Sequence, residues 1–288
     1  MVYNEKEKIS ETVLSKAPNC IALSENGQQL FIGHSELISC IDSATLQVSK
    51  TFDLDFSVFD LAYGENGWLY ISPDADYTSE PILYLNITSG KLLRKKAPIF
   101  TGGRTHFKKI KGLPVLLCTR KFITPSGAIL LDIANEIPGE EKYWHQSLGG
   151  AFWFSENHKY FYDSYGKIFA TPTFNTGQDL LPVGELASYM NANCVDHCAH
   201  SNSIWVALNY YDSKHNIARY HAGDYHLLES FQLSKYATTI NSTLSYYNTI
   251  PHYIFSSQSG TYIYIIKNVF VSHFDNPNAW SMEILTFN

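Results

Sequence analysis

The densest run of chemically capable side chains in this chain is Cys194-Val195-Asp196-His197-Cys198-Ala199-His200. Thiolates, carboxylates and imidazoles hold zinc and similar ions, so the run raises the question of a metal centre. On an extended strand, Cys194, Asp196, Cys198 and His200 share one face and His197 takes the other. Neighbours on one face stand roughly 6–7 Å apart, so two of them can join a site but four cannot close a tetrahedron around one ion. A metal here needs ligands from distant parts of the chain, for which His106 and His252 are suitable types. The competing reading makes each Cys a small buried apolar group and each His a satisfied strand residue.

Further polar groups acquire meaning only if the fold makes them converge. Asp60, Arg104, His106, Asp196, His197 and His252 form the ligand-binding set expected on that condition. A second kind of chemistry is contact area. Tyr210-Tyr211 and Tyr246-Tyr247 fall in or near connecting segments, where aromatic side chains bind sugars, peptides or protein partners. Trp144 and Trp280 are open to the same use or to packing between elements. The chain has no Gly-x-Ser-x-Gly elbow, no Gly-Lys phosphate loop and no His-Glu-x-x-His helix, so no complete catalytic set is legible. Binding is therefore the leading expectation and catalysis the alternative.

The elements that must position these residues are short strands in a repeating order. Residues 18–54 contain four apolar runs, Ile21–Ser24, Leu30–Gly33, Leu37–Ile41 and Leu46–Leu54, each separated from the next by turn residues. The same order returns five times, and the first turns align at Ser24, Gly64, Lys109, Ser155, His200 and Ser257. The intervals are those of propeller repeats, about 40–46 residues apart from a longer last one. The expectation is an all-β fold: one β-propeller domain of six four-stranded blades, with seven possible. The repeats run approximately over 17–56, 57–100, 101–147, 148–190, 191–237 and 250–288. Asn26-Gly27 and Asn66-Gly67 supply hairpin turns, and Asp42, Asn86, Asp132 and Asp275 end third strands with a side chain able to bond the following backbone.

Residues 234–249 exceed an ordinary connection and read as a long functional loop or an extra strand pair. Ile9–Leu14 reads as a strand that could help close a ring. Because first strands line the centre of a propeller, the expected inner ring is Cys20, Asp60, Thr105, Ala151, Asp196 and Tyr253, flanked by residues such as Arg104, His106, His197 and His252. A slip of one residue would exchange adjacent rings.

The first repeat, Ile21-Ala22-Leu23-Ser24-Glu25-Asn26-Gly27 through Leu30-Phe31-Ile32-Gly33 to Ile41-Asp42-Ser43-Ala44-Thr45, resembles surface-layer-type YVTN propeller repeats, relatives of WD40 and quinoprotein-like propellers. Leu30-Phe31-Ile32-Gly33 stands where that family carries an aromatic-Val-Thr-Asn run. The resemblance implies a fold shared by many functions. Pro18-Asn19-Cys20-Ile21-Ala22-Leu23-Ser24 is similar to the Pro-Asn-Gly-x-x-x-Ser stretch of the gluconolactonase and regucalcin family, with Cys20 in place of the Gly. That second resemblance implies a divalent metal at Asn19, with Asp60 and Asp196 placed beside it by repeat register. The alternative function is accordingly a metal-dependent lactonase-like hydrolase.

Composition narrows the partners. Hydrophobic residues make up 45% and charged residues 17% of the chain, which suits a large buried core rather than disorder. The net charge of −6 is dispersed, and the one basic run is Arg94-Lys95-Lys96, so a phosphate-neutralising nucleic-acid surface is not expected. No apolar stretch reaches membrane-spanning length, and the first residues lack a secretory signal core. The five cysteines have no disulfide-scaffold spacing and point to a reducing compartment, cytoplasmic by default, or to secretion if a signal was removed. The sequons at Asn86 and Asn241 read as chance. The remaining expectations are no cofactor, a divalent metal only under the hydrolase alternative, a protein or small-molecule partner, and a monomer.

Overall fold

The computed structural model describes residues 2–4, 7–10, 12–64, 67–75, 82–94, 104–120, 127–135, 141–177, 179–187, 190–209, 215–240, 243–269 and 280–287. Every regular element among them is a β-strand, and the ladders are antiparallel throughout. Contacts divide the chain into two units, residues 1–151 with 172–180, and residues 152–171 with 181–288.

In the first unit, β1 (Val2–Asn4) pairs with β2 (Glu7–Ser10) as a separate hairpin. The strand expected over Ile9–Leu14 thus overlaps β2, whose ladder partner is Val2–Asn4. A six-stranded sheet follows: β3 (Cys20–Leu23), β4 (Gln29–Asp42), β5 (Val48–Tyr63), β6 (Trp68–Pro73), β7 (Leu83–Asn86) and β8 (Leu92–Arg94). It holds two repeats in one ladder. Strand β4 serves as second and third strand of the first repeat and turns at Ser35-Glu36, where Glu36 is left-handed (φ 61°). The long β5 is last strand of one repeat and first strand of the next, pairing with β4 through Thr51–Asp53 and with β6 through Asp60–Tyr63. A four-stranded sheet completes the unit: β9 (Thr105–Lys109), β10 (Val115–Arg120), β11 (Gly127–Asp132) and β12 (Glu141–His145). Residues 172–180 join this unit because Trp144 Nε1 donates to Gly177 O at 2.8 Å and Lys142 Nζ donates to Phe174 O at 2.8 Å.

The second unit holds a sheet of β13 (Phe152–Phe154), β14 (Tyr160–Asp163), β15 (Lys167–Ala170) and β16 (Pro182–Glu185). Another contains β17 (Ala192–Cys198), β18 (Ser203–Leu208), β19 (Ile217–His221) and β20 (Leu227–Phe231). The hairpin β21 (Tyr236–Ile240) and β22 (Thr243–Tyr247) follows, then a three-stranded sheet of β23 (Thr249–Ser256), β24 (Tyr262–Val269) and β25 (Trp280–Thr286). Residues 234–249 therefore form a strand pair, the second of the two expectations for that segment.

Local chemistry repeats with the strands. In the first turn, the Ser24, Ser155 and Ser257 hydroxyls accept the N–H of Gln29, Tyr160 and Tyr262 at 2.9, 3.0 and 3.0 Å. The residue that closes each turn is left-handed, as at Gly27 (φ 70°), His158 (56°), Asn202 (47°) and Gly260 (70°). Glycine is the low-cost choice there, and His158 shows that it is not compulsory. Asp42 Oδ1 accepts from Ala44 N and Thr45 N at 3.1 and 2.8 Å, and Asn86 Oδ1 accepts from Thr88 N and Ser89 N at 3.2 and 2.9 Å. Asp132 accepts from Ala134 N at 2.9 Å, while Asn66 and Asp275 lie outside the described residues. One bond beyond the second-to-third strand ladder recurs six times among the described residues: Ser43, Ile87, Ile133, Thr171, Ala222 and Phe287 donate N–H to Gln28, Gly67, Pro114, Lys159, Asn202 and Thr261.

Two turns differ from the sequence alignment. The backbone bonds single out Ile110 and Ala199 where Lys109 and His200 were aligned with Ser24. A one-residue shift exchanges the faces of a strand, and accordingly Thr105 is fully buried while His106 is only partly buried. The cores lie between successive sheets within each unit. In the first unit Phe31, Ile38, Leu69 and Ile71 form one cluster and Tyr70, Leu116, Ile129 and Ile133 another. In the second, Ile168, Ile204 and Val206 pack together, as do Trp205, Ile217, Ile254 and Ile265. Each such side chain contributes roughly 1.5–3 kcal/mol of burial, which explains why continuous apolar runs form the middle strands.

Candidate interaction surface

The inner-strand polar residues are engaged by neighbouring sheets. Asn19 Nδ2 donates to Val58 O at 3.0 Å, and Asn193 repeats the device with a 2.8 Å bond to Pro251 O. Asp60 accepts the N–H groups of Leu61 and Phe107, both at 2.9 Å, so its carboxylate ties β5 to β9. His106 Nδ1 lies 3.5 Å from the same carboxylate, and its ring packs on Phe59 at 4.8 Å. Asp196 accepts the N–H of Ser256 at 2.8 Å and also the Ser256 hydroxyl, tying β17 to β23. Each group satisfies a backbone donor or acceptor that the joint between sheets would otherwise leave unmatched.

Electrostatics follow from this burial. Desolvation raises the Asp196 carboxyl above its ordinary value despite the bonds from Ser256. The same effect lowers His197, outweighing the nearby Glu156 and Asp196, which disfavours the charged form of its ring. Burial, reinforced by the Asp60 charge, pushes the Cys20 thiol well up, the opposite of an activated nucleophile. Cys118 is raised in the same way, Cys40 is pushed up to about 11, and none of the five cysteines forms a disulfide.

The structure groups the remaining expected residues as follows. Asn19, Asp60, Arg104 and His106 belong to the first unit, where Arg104 Nε pairs with Asp74 at 2.6 Å. Asp196, His197 and His252 belong to the second. There His252 meets Asn268 Oδ1 at 3.0 Å, and its ring lies tilted against that of Trp280, 4.7 Å between centroids. Within the run 194–200, Cys194 and Cys198 are buried, and Glu156 Oε2 accepts from Ala199 N at 2.8 Å. Trp144 is core, whereas Trp280 is largely exposed. Tyr210 and Tyr211 lie outside the described residues.

Among the described residues, the most exposed aromatic side chain, Tyr246, is on the hairpin β21–β22. Ala237 faces Tyr246 across the ladder and Thr239 faces Leu244, so Ala237, Leu244 and Tyr246 share one face. Leu244 is 55% and Tyr246 62% exposed, while Tyr236 and Tyr247, paired on the other face, are partly buried. On β23 the rings of Tyr253 and Phe255 stack at 6.3 Å, and both are exposed. Sequence reasoning reached Tyr246 and Tyr247 and placed Tyr253 on the inner ring, but missed Leu244 and Phe255, although the alternation Tyr253-Ile254-Phe255 carried the signal for the latter.

The base of the hairpin is fixed by a buried cation. Lys267 is 4% exposed, and its ammonium donates to Ser234 O at 2.8 Å and Ser234 Oγ at 2.7 Å and pairs with Glu283. Glu283 also accepts from Ser234 N at 3.1 Å and Ser234 Oγ at 2.8 Å. At the other end of the excursion, Thr249 Oγ1 donates to Ser234 O at 3.0 Å. Burial alone would raise Glu283, but the Lys267 and Ser234 bonds outweigh it and hold the carboxyl below its usual range.

No protein-family model matches the chain, and no curated protein matches it in sequence. Solved structures match in fold. The Cps50 (Swd1) β-propeller domain of Myceliophteria thermophila superposes with a TM-score of 0.64 at 9% identity, covering 96% of this chain and 85% of that one. U3-55K gives 0.60 at 13% identity over 95% and 81%, and the RRP9 WD40 repeats give 0.55 at 14% over 86% and 72%. Neither YVTN proteins nor gluconolactonases are among these neighbours, and the lactonase-type reading gains no support from them. The chain has a β-propeller fold, similar to that of WD40-type propellers.

Proposed function

We propose that this chain is a non-catalytic interaction propeller that binds a protein partner through the outward face of β21–β22. The carrying observation is the pairing of an exposed apolar stripe, Leu244 and Tyr246, with a base held by the buried Lys267–Ser234–Glu283 cluster. An apolar face on a fixed support loses little conformational freedom on binding, which favours protein contact. Tyr and Leu in that setting offer contact area rather than reaction chemistry. The inner carboxylates, by contrast, already accept backbone N–H bonds. The WD40-type neighbours share the fold only, and fold alone names no partner.

The test is affinity capture with wild type and with a Leu244→Ser/Tyr246→Ser double variant, with melting temperature as the control for folding. Recovery of a defined partner should fall at least about tenfold in the variant, the equivalent of about 1.4 kcal/mol. A Tyr210→Ala/Tyr211→Ala variant run in parallel tests the other tyrosine pair. Equal recovery by wild type and the Leu244/Tyr246 variant would remove this hairpin as the binding surface.

A further inference from the structure

The turn between β19 and β20 gathers three metal-ligating side chains that the inner-strand argument does not use. Among the described residues, His221, Asp224 and His226 are the one group of three or more His, Cys, Asp or Glu whose potential ligand atoms all lie within 4.8 Å of one another. His221 Nδ1 lies 2.7 Å and His226 Nδ1 2.6 Å from the same Asp224 oxygen. The two rings are 5.2 Å apart between centroids.

The turn itself produces this convergence. His221 N donates to His226 O at 3.0 Å, which sets the two histidines opposite each other across the hairpin. Tyr225 N donates to His221 O at 2.9 Å, and Tyr225 is left-handed (φ 63°), which tightens the loop and swings Asp224 between the rings. The equivalent turns begin with Asp42 and Asn86 and have Leu46 and Gly90 in the left-handed position. In this repeat His221 occupies the place of that capping side chain, so the turn carries ligands where its counterparts carry caps. Gly223 also matters: a Cβ there would stand 3.0 Å from His221 Cε1 and 3.4 Å from Nδ1, crowding the ring.

We infer that His221, Asp224 and His226 form a surface site for a divalent transition-metal ion of the zinc type. Two imidazole nitrogens and one carboxylate oxygen are a donor set suited to such ions, and a fourth position remains for water. Bonds of about 2.0–2.1 Å in a tetrahedron place ligand atoms about 3.3 Å apart. The present separations need to open by about 0.7 Å, a small movement for half-exposed side chains on a turn. Each neutral imidazole then carries its proton on Nε2 rather than Nδ1, leaving the Nδ1 lone pair for the ion. For His221, the Asn202 amide nitrogen Nδ2 lies 2.8 Å from Nε2, and with the metal bound that amide must turn over so that its oxygen accepts the Nε2 proton's hydrogen bond. Such an outer partner orients a metal-bound histidine.

Isothermal titration of the untagged chain with zinc chloride tests the site, with cobalt(II) absorption reporting nitrogen and oxygen coordination. One saturable zinc equivalent per chain is expected. Affinity should fall at least tenfold in His226→Ala and in Asp224→Asn, and stay unchanged in His145→Ala, an exposed histidine at the end of β12. Melting temperatures without metal establish that each variant is folded, and His226→Gln gives the same reading with a polar side chain kept in the turn. Absence of saturable binding by wild type, or equal affinity in wild type and His226→Gln, would overturn the assignment.

Discussion

Replacing Lys267 by methionine keeps most of the buried aliphatic length and removes only the ammonium. The charge lost is 4% exposed and serves Ser234 O, Ser234 Oγ and Glu283. Breaking a buried pair by removing one partner costs about 3–5 kcal/mol, because the other charge stays behind uncompensated. Here Glu283 keeps the Ser234 N–H and hydroxyl at 3.1 and 2.8 Å, and its side chain is 21% exposed. Ser234 O keeps the Thr249 hydroxyl at 3.0 Å. The expected loss therefore sits near the lower end, about 3 kcal/mol at pH 7, or roughly 5 °C in Tm for a chain of this size. The double variant Lys267→Met/Glu283→Gln should recover part of this, since it leaves no unpaired charge.

The pH dependence supplies an independent check. The folded Glu283 carboxyl is held below its unfolded value, so its stabilising contribution is present above the unfolded value of about 4.5. It is lost as pH falls through the lower folded value. The gap between wild type and Lys267→Met should thus be full at pH 6 and shrink steadily below pH 4.5. Denaturant unfolding followed by fluorescence measures both quantities, and limited proteolysis within 235–248 reports the loosened hairpin. A gap under about 0.5 kcal/mol at pH 7, or one that does not change with acidification, would refute the assignment of this cluster as the hairpin's anchor.

Asp196→Ala leaves the Ser256 N–H without its partner and should destabilise by about 1–3 kcal/mol in chemical denaturation. Because the folded Asp196 carboxyl is raised, its contribution is full below the unfolded value and lost as pH rises through the folded one. Asp196→Asn should therefore gain on wild type as pH climbs from 4 to 7, and a constant difference would contradict the burial argument. With Cys40, Cys118, Cys194 and Cys198 buried and Cys20 raised by desolvation, native protein should react slowly with a disulfide reagent at pH 8, whereas denatured chain should yield all five thiols at once. Gly127→Ala sets a Cβ 2.4 Å from Trp144 O and 2.6 Å from the Tyr143 ring, so β11 and β12 must part. A loss of about 1–3 kcal/mol is expected in thermal melting, against near neutrality at Gly177→Ala, where nothing lies within 4 Å.

The repeat was readable because its punctuation is chemical. Ser24, Ser155 and Ser257 accept the same backbone donor, and Asp42 and Asn86 cap the same turn, so similar residues recur wherever the geometry does. The register failed by one residue at Ile110 and Ala199, where no serine marks the turn and apolar runs alone leave the alignment free to slide. The candidate surface was half legible. Tyr246 stood out by type, but the face it shares with Leu244 depends on which residues β21 and β22 bring opposite each other. The Lys267–Ser234–Glu283 cluster was invisible, because three ordinary residues far apart in sequence meet only once β23, β24 and β25 have paired.

The same logic separates polar residues that hold the fold from those free to act outside it. Asn19 and Asn193 make one bond in two repeats, and Asp60 and Asp196 each accept an N–H from the next first strand. A side chain whose role recurs between repeats in different units answers a demand of the repeat itself, which is to match backbone groups where successive sheets meet. The departures from that recurrence carry the stronger functional argument. One is the anchored hairpin inserted ahead of the last sheet, and the other is the turn in which His221 stands where Asp42 and Asn86 cap. Substitutions at the recurring positions should accordingly be read in stability, and substitutions at these two places in binding.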